Sequence, residues 1–379
     1  MENRKAISTP PTKRNSSIEL LRIISMIMIV IFHFAYHGRF EWEHSSLSLQ
    51  RFWYNFIVLG GKIGVDIFVL ISGYFLVNSN RSISTNTKKL LKLWGQIFFY
   101  SVTIYIIFTL TGRNPYGIKH TIIPIFLPIT YNTWWFASTY FVMFLLHPFI
   151  NKFIWCLNTK SYQNLLFLLI LCWYIIPSLT GRMYQGTPLL RFITLYLIAG
   201  YIKVYGLNQK LKCRHYFILF LTFSTLNYLA SVTYTLLGVK KEVYVDRAIN
   251  LLEPHNLFVL LIALALFMTF VTLKIRYRKW LNVMASATFG VYLIHDNGYT
   301  RPYLWTELFK NNHYQDTLIL IPYSIAVTII VYTVCTFIEL IRQQLFDKPY
   351  MKFINYYTDV WLGIIAKTNN CIKRVVFGK

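Results

Sequence analysis

Arg22 and His33 stand eleven residues apart in one apolar stretch, SSIELLRIISMIMIVIFHFAYHG, residues 16–38. Eleven helical steps of about 100° return to within about 20° of the starting direction and climb about 16 Å. One stripe of a single helix then carries a guanidinium near its first turn and an imidazole near its far end. Glu19, three residues before Arg22, is close enough to pair with it. Ionisable groups in a membrane-length apolar segment are costly and by default point to function. The competing reading is a snorkelling arginine and an interfacial histidine; the shared stripe favours a site. An imidazole there suits general-base work.

Other reactive residue types cluster in a few places. The stretch GGKIGVDIFVLISGYFL holds Lys62 and Asp66 at i,i+4, with Gly60, Gly61, Gly64, Gly73 and Ser72 allowing close helix approach. Lys62 and Asp66 form either a structural ion pair or, in the functional reading, a device in which Asp66 faces His33 and fixes its tautomer. The stretch VYLIHDN brings His295 and Asp296 near the same end of the molecule, and His295 is a second candidate partner for His33. Lys88, Lys89 and Lys92 in TNTKKLLKLW suit lipid headgroups or the phosphates of a nucleotide-bearing cofactor. Trp134 and Trp135, with Tyr140 beyond them, read as interfacial belt residues or as surfaces on which sugar rings stack.

These residues must be positioned by helices in a bilayer. The chain has 379 residues, of which 55% are hydrophobic, 18% aromatic and only 14% charged. A soluble protein carries charge on about a quarter of its residues. Apolar runs of membrane-crossing length predict an all-α integral membrane protein with about ten transmembrane helices. The expected spans are 18–36, 55–77, 90–111, 134–154, 164–180, 188–205, 215–237, 256–273, 282–299 and 317–341. Twenty-five Lys and Arg fall in the N-terminal tail, the even connections and the C-terminal segment, against ten in the odd connections. That bias predicts both termini in the cytoplasm, with most of the net charge of +24 facing anionic lipid rather than nucleic acid. The expected organisation is a cytoplasmic tail over 1–17 containing Arg4, Lys5, Lys13 and Arg14, one membrane domain over 18–341, and a basic interfacial tail over 342–379. Five scattered cysteines support neither a disulfide framework nor a metal site.

Taken in order, these motifs resemble the membrane-bound acyltransferase family 3, multi-pass bacterial enzymes that acylate extracytoplasmic glycans. The resemblance covers about residues 16–341. It rests on Arg22 and His33, on GVDIFVLISGYFL at 64–76, on WWFASTYFVMFLLHPFIN at 134–151, and on FGVYLIH at 289–295. It implies acyl-CoA, with acetyl-CoA the expected form, as the donor, and Arg22 and His33 as essential residues. It also implies a surface glycan or lipid-linked oligosaccharide as acceptor, and the bacterial cytoplasmic membrane as the location. The chain departs from the family in two places. Lys88, Lys89 and Gly95 stand where many members have an Arg pair followed by Pro, and Ser138 to Tyr140 stand where some O-antigen-acting members have a Glu. Acetyl versus succinyl transfer, and base versus covalent roles for His33, stay open at this level. The rival class is a polysaccharide exporter, which also uses intramembrane charges, but the two halves carry no visible repeat.

Overall fold

The computed structural model describes residues 15–42, 47–79, 83–114, 118–183, 186–206, 211–241 and 243–377. Arg4, Lys5, Lys13 and Arg14 lie outside the described residues. All regular structure among the described residues is helical. The elements are α1 (Ser16–Tyr36), α2 (Leu49–Leu76), α3 (Ile83–Leu110), α4 (Ile118–Phe126), α5 (Trp135–Cys156), α6 (Thr159–Thr180) and α7 (Pro188–Tyr205). They continue with α8 (Cys213–Gly238), α9 (Val243–Asn250), α10 (Leu257–Thr272), α11 (Lys279–His295), α12 (Leu320–Arg342) and α13 (Lys348–Phe377).

Seven helical stretches are long and apolar enough to cross a membrane: α1, α2, α3, α6, α7, α8, and α12 with its continuation into α13. The other three expected spans coincide with α5, α10 and α11. α10 has 16 residues and α11 has 17, about 24–26 Å of helix, which is short of a hydrocarbon core about 30 Å thick. α5 is longer but places His147, Asn151 and Lys152 in its second half. Side chains on α6 and α8 such as Phe167, Leu168, Phe217, Ile218, Leu226 and Leu229 point outward and exposed, as helices facing lipid require.

α1 is the helix around which the others pack, touching α2, α10, α11 and α12. Its first turn is tied down by short polar bonds. Asn15 accepts from the Ser17 N–H at 3.0 Å and so caps the helix. The Ser17 hydroxyl donates to the Leu273 carbonyl at 2.6 Å and accepts from the Ile275 N–H, while the Ser16 hydroxyl accepts from the Arg278 N–H. The connection between α10 and α11 is thereby fixed to the start of α1. At the far end the Asn311 amide donates to the Phe34 carbonyl at 2.8 Å.

Close contact of α1 with α2 depends on glycine. A Cβ at Gly64 would stand 2.7 Å from the Ser25 carbonyl oxygen, a backbone atom that cannot move aside. Gly64→Ala is therefore expected to force the two helices apart and cost about 1–3 kcal/mol. Thermal unfolding in detergent, compared with the wild type, measures it.

A second buried polar cluster joins α3, α11 and α12 near the α1 N-terminal end of the bundle. Glu339 of α12, fully buried, accepts from the Tyr100 hydroxyl at 2.6 Å and from Gln96 at 3.0 Å. It also accepts two bonds from Arg342, at 2.8 and 2.9 Å, and one from Gln343 at 2.8 Å. Arg342 turns its remaining nitrogen to Asp347 at 2.8 Å. Gly290 of α11 makes room, because a Cβ there would run into the Glu339 carboxylate.

Candidate functional site

His33 lies one turn from the end of α1, and its ring meets the end of α11. His33 Nδ1 is 2.9 Å from His295 Nε2, and both rings are buried. His295 Nδ1 is 2.6 Å from the Val291 carbonyl oxygen. A carbonyl can only accept, so Nδ1 of His295 carries the hydrogen. The neutral ring then leaves Nε2 as an acceptor. His33 must donate from Nδ1 to that acceptor, and its own lone pair stands at Nε2. A chain of two bonds starting from one backbone carbonyl thus fixes which His33 nitrogen can take a proton.

Asp296 waits beside that nitrogen. Its Oδ1 is 3.7 Å from His33 Nε2, 3.5 Å from His37 Nε2 and 2.9 Å from Arg301 Nε. Arg301 also donates to the Asp296 backbone carbonyl at 3.0 Å, which fixes the turn that follows α11. A proton gained at His33 Nε2 would be stabilised by a buried carboxylate already held by one permanent cation. His33, His37 and Asp296 also bring three possible metal-ligand atoms within 4.8 Å of one another. Arg301, 2.9 Å from the same carboxylate oxygen, already supplies it with a fixed positive charge, and this favours proton chemistry.

Replacing His295 by Leu removes the acceptor for His33 Nδ1–H and frees the ring to adopt the other tautomer. The expected loss of activity is about 10–100-fold, the range typical when an imidazole's orienting partner is lost. His295→Gln, whose amide oxygen can take the same bond, should retain more activity than the Leu variant in parallel rate measurements.

Asp66 does not face His33, which corrects the expected pairing. It is fully buried, with Oδ1 3.5 Å from Arg191 Nη1 of α7. The register explains why. α2 starts at Leu49, ahead of the expected 55, which carries Asp66 deeper into the bundle. Gly61 stands opposite Phe32, and Gly64 opposite Ser25 and Ile29. Asp66 is five residues past Gly61, about 7 Å further along the axis, and about 200° round from Gly64, so it points away from α1. Azimuth about the helix axis, and not nearness in depth alone, decides the partner. Lys62 is likewise not paired with Asp66 and lies instead over the Phe32 and Tyr36 rings, 5.2 and 5.9 Å from their centroids.

Arg22 pairs with Glu19 at 3.8 Å near the other end of α1. Lys88 and Lys92 are engaged with carboxylates after α12: Lys88 with Asp359 at 2.9 Å and Lys92 with Asp347 at 2.8 Å. Lys89 is exposed. Trp134 is not a belt or stacking surface. It is fully buried, and its indole N–H donates to the Leu293 carbonyl at 3.2 Å, holding the last turn of α11 that carries His295. Trp135 packs against Phe192 and lies 5.9 Å from the Arg191 guanidinium. The Tyr140 hydroxyl is 3.1 Å from the Ser72 hydroxyl on α2, and its ring stacks on Phe136.

The residues that sequence reasoning missed are His37, Arg191 and Arg301. His37 had a signal, being one turn beyond His33 on the same face. Arg301 had none, since it follows an irregular turn whose path only the folded chain sets.

A family model described as an acyltransferase domain matches residues 15–340. No curated protein and no solved structure matches the chain.

Proposed function

Because the chain belongs to acyltransferase family 3, and is thus a multi-pass membrane enzyme that transfers acyl groups, we propose that it moves an acetyl group from cytoplasmic acetyl-CoA to a hydroxyl of a cell-surface or exported polysaccharide. The observation that carries this reading is the His295–His33–Asp296 arrangement, which leaves one buried imidazole nitrogen free beside a carboxylate. When bound, the CoA thioester supplies an activated acyl carbon. His33 Nε2 takes the proton of the acceptor hydroxyl as its oxygen bonds to that carbon, and returns it to the sulfur as the C–S bond breaks. Asp296 steadies the imidazolium between these two moments, and His295 holds the ring.

The donor's phosphates would rest on Lys88, Lys89 and Lys92 at the cytoplasmic face of a bacterial membrane. The residue types suit this, with the exposed Lys89 as first contact. Asp347 and Asp359 already pair with Lys92 and Lys88, so phosphate would have to displace them. Arg22, at the α1 end remote from His33, fits a role along the donor's extended arm. The test is an assay on purified protein in lipid nanodiscs given acetyl-CoA or succinyl-CoA with surface glycan, following free CoA thiol. Glycan-dependent thiol release with acetyl-CoA is expected. No release with either donor would overturn the reading.

A further inference from the structure

A cleft of about 350 Å³ runs along α2 on the side of Phe32 and Tyr36, the neighbours of His33 on α1. It falls at the low end of the range of about 300–1,000 Å³ common for small-ligand sites. It touches neither Arg22 nor His33. Arg51, Asn55, Val58 and Lys62 line it at helical spacing from α2, Ser231 and Thr235 from α8, and Glu253 from the turn after α9.

Two features mark this cleft as built for a ligand. Lys62 is a cation within a membrane-length helix that lies over the faces of Phe32 and Tyr36; among the described residues no carboxylate oxygen lies within 4.0 Å of it, and Glu253 in the same lining acts on it only from further off. An ammonium without a close carboxylate at such a position is costly and points to an anionic partner. Ser231 is 1% exposed, and its hydroxyl has no hydrogen-bond partner among the described residues. A buried hydroxyl left unsatisfied in a cleft wall is a place for a ligand oxygen.

We propose that this cleft binds a carboxylate-bearing sugar unit of the acceptor glycan, an inference that rests on the acyltransferase reading above. Lys62 offers one cationic contact, and Glu253 in the same lining repels a second negative charge, which suits a monoanionic carboxylate better than a phosphate dianion. The aromatic lining from Phe32, Tyr36 and Tyr54 suits the apolar face of a pyranose. Asn55 and Ser231 suit its hydroxyls. The cleft thereby makes the enzyme selective for acidic polysaccharide and holds the sugar one helix face away from the His33 cluster.

The experiment measures binding by the full-length protein in phosphatidylcholine nanodiscs. The probes are a glucuronic-acid-containing disaccharide, its neutral glucose counterpart, and inorganic phosphate. The acidic disaccharide is expected to bind about tenfold more tightly than the neutral one, as one charge-assisted contact allows. Lys62→Met should abolish the difference, and Lys62→Arg should keep it. Equal affinities for the two sugars, an unchanged preference in Lys62→Met, or phosphate outcompeting the acidic sugar would each overturn the proposal. His33→Ala should keep the preference in full. Acidic-sugar binding without any acyl transfer by the wild type would therefore sink the enzymatic reading alone, and transfer without sugar preference would sink the cleft alone.

Discussion

His33→Ala is expected to leave a folded protein whose acyl transfer falls by about 10²–10⁴-fold, the usual contribution of a positioned general base. The side chain is buried at the end of α1, and its one direct hydrogen bond among the described residues is to His295. Deleting it removes a bond worth about 1 kcal/mol net, small beside the stability of a bundle held by the α1–α2 contact and the Ser16–Ser17 ties. The catalytic loss is far larger, because no other described group occupies the position of Nε2. His37 Nε2 lies 3.5 Å from the same Asp296 oxygen, so the residual rate reads how far His37 substitutes. Thiol release from acyl-CoA, normalised to protein abundance in the membrane, measures the effect. A variant as fast as the wild type would reduce the histidine cluster to packing.

Glu339→Ala is expected to be the most damaging change to stability, at about 3–5 kcal/mol. The carboxylate receives five side-chain bonds from Tyr100, Gln96, Arg342 and Gln343. Removing it leaves Arg342, itself buried, with Asp347 as its remaining anionic partner. It also opens a polar hole between α3, α11 and α12. Gly290→Ala should reproduce part of the loss by pushing a methyl into the space that Glu339 fills. A lower midpoint of thermal unfolding and reduced membrane abundance are the readouts, and an unaltered midpoint would contradict the assigned role.

How much of this was legible before the fold depends on which physical quantity each residue needed. Helix identity needed only length and apolarity, so the extent of α1 matches its expected span to within two residues at its start. The Glu19–Arg22 contact needed only spacing within one helix. The partner of His33 needed azimuth across two helices, and there the reading favoured Asp66, which turns instead to Arg191. His295 was named because its motif ends near the same membrane level, yet the direction of its hydrogen bond comes from Val291, one turn earlier. Trp134 looks interfacial because it opens an expected span, 134–154. Its burial reflects an indole N–H spent on Leu293, a demand that no single segment reveals. Glu339 stands in an apolar run, where membrane burial makes a carboxylate expensive, but its partners on α3 lie some 240 residues away in the chain and only the fold supplies them.

The central claim is that His33 Nε2 is the proton acceptor in acyl transfer to a glycan. Mass analysis of surface glycan from cells carrying the wild-type chain or His33→Ala, at equal membrane abundance, tests it most directly. Glycan from the wild type should carry the added mass of one acyl group per modified unit, and glycan from the variant none. The same acylated glycan in both would contradict it.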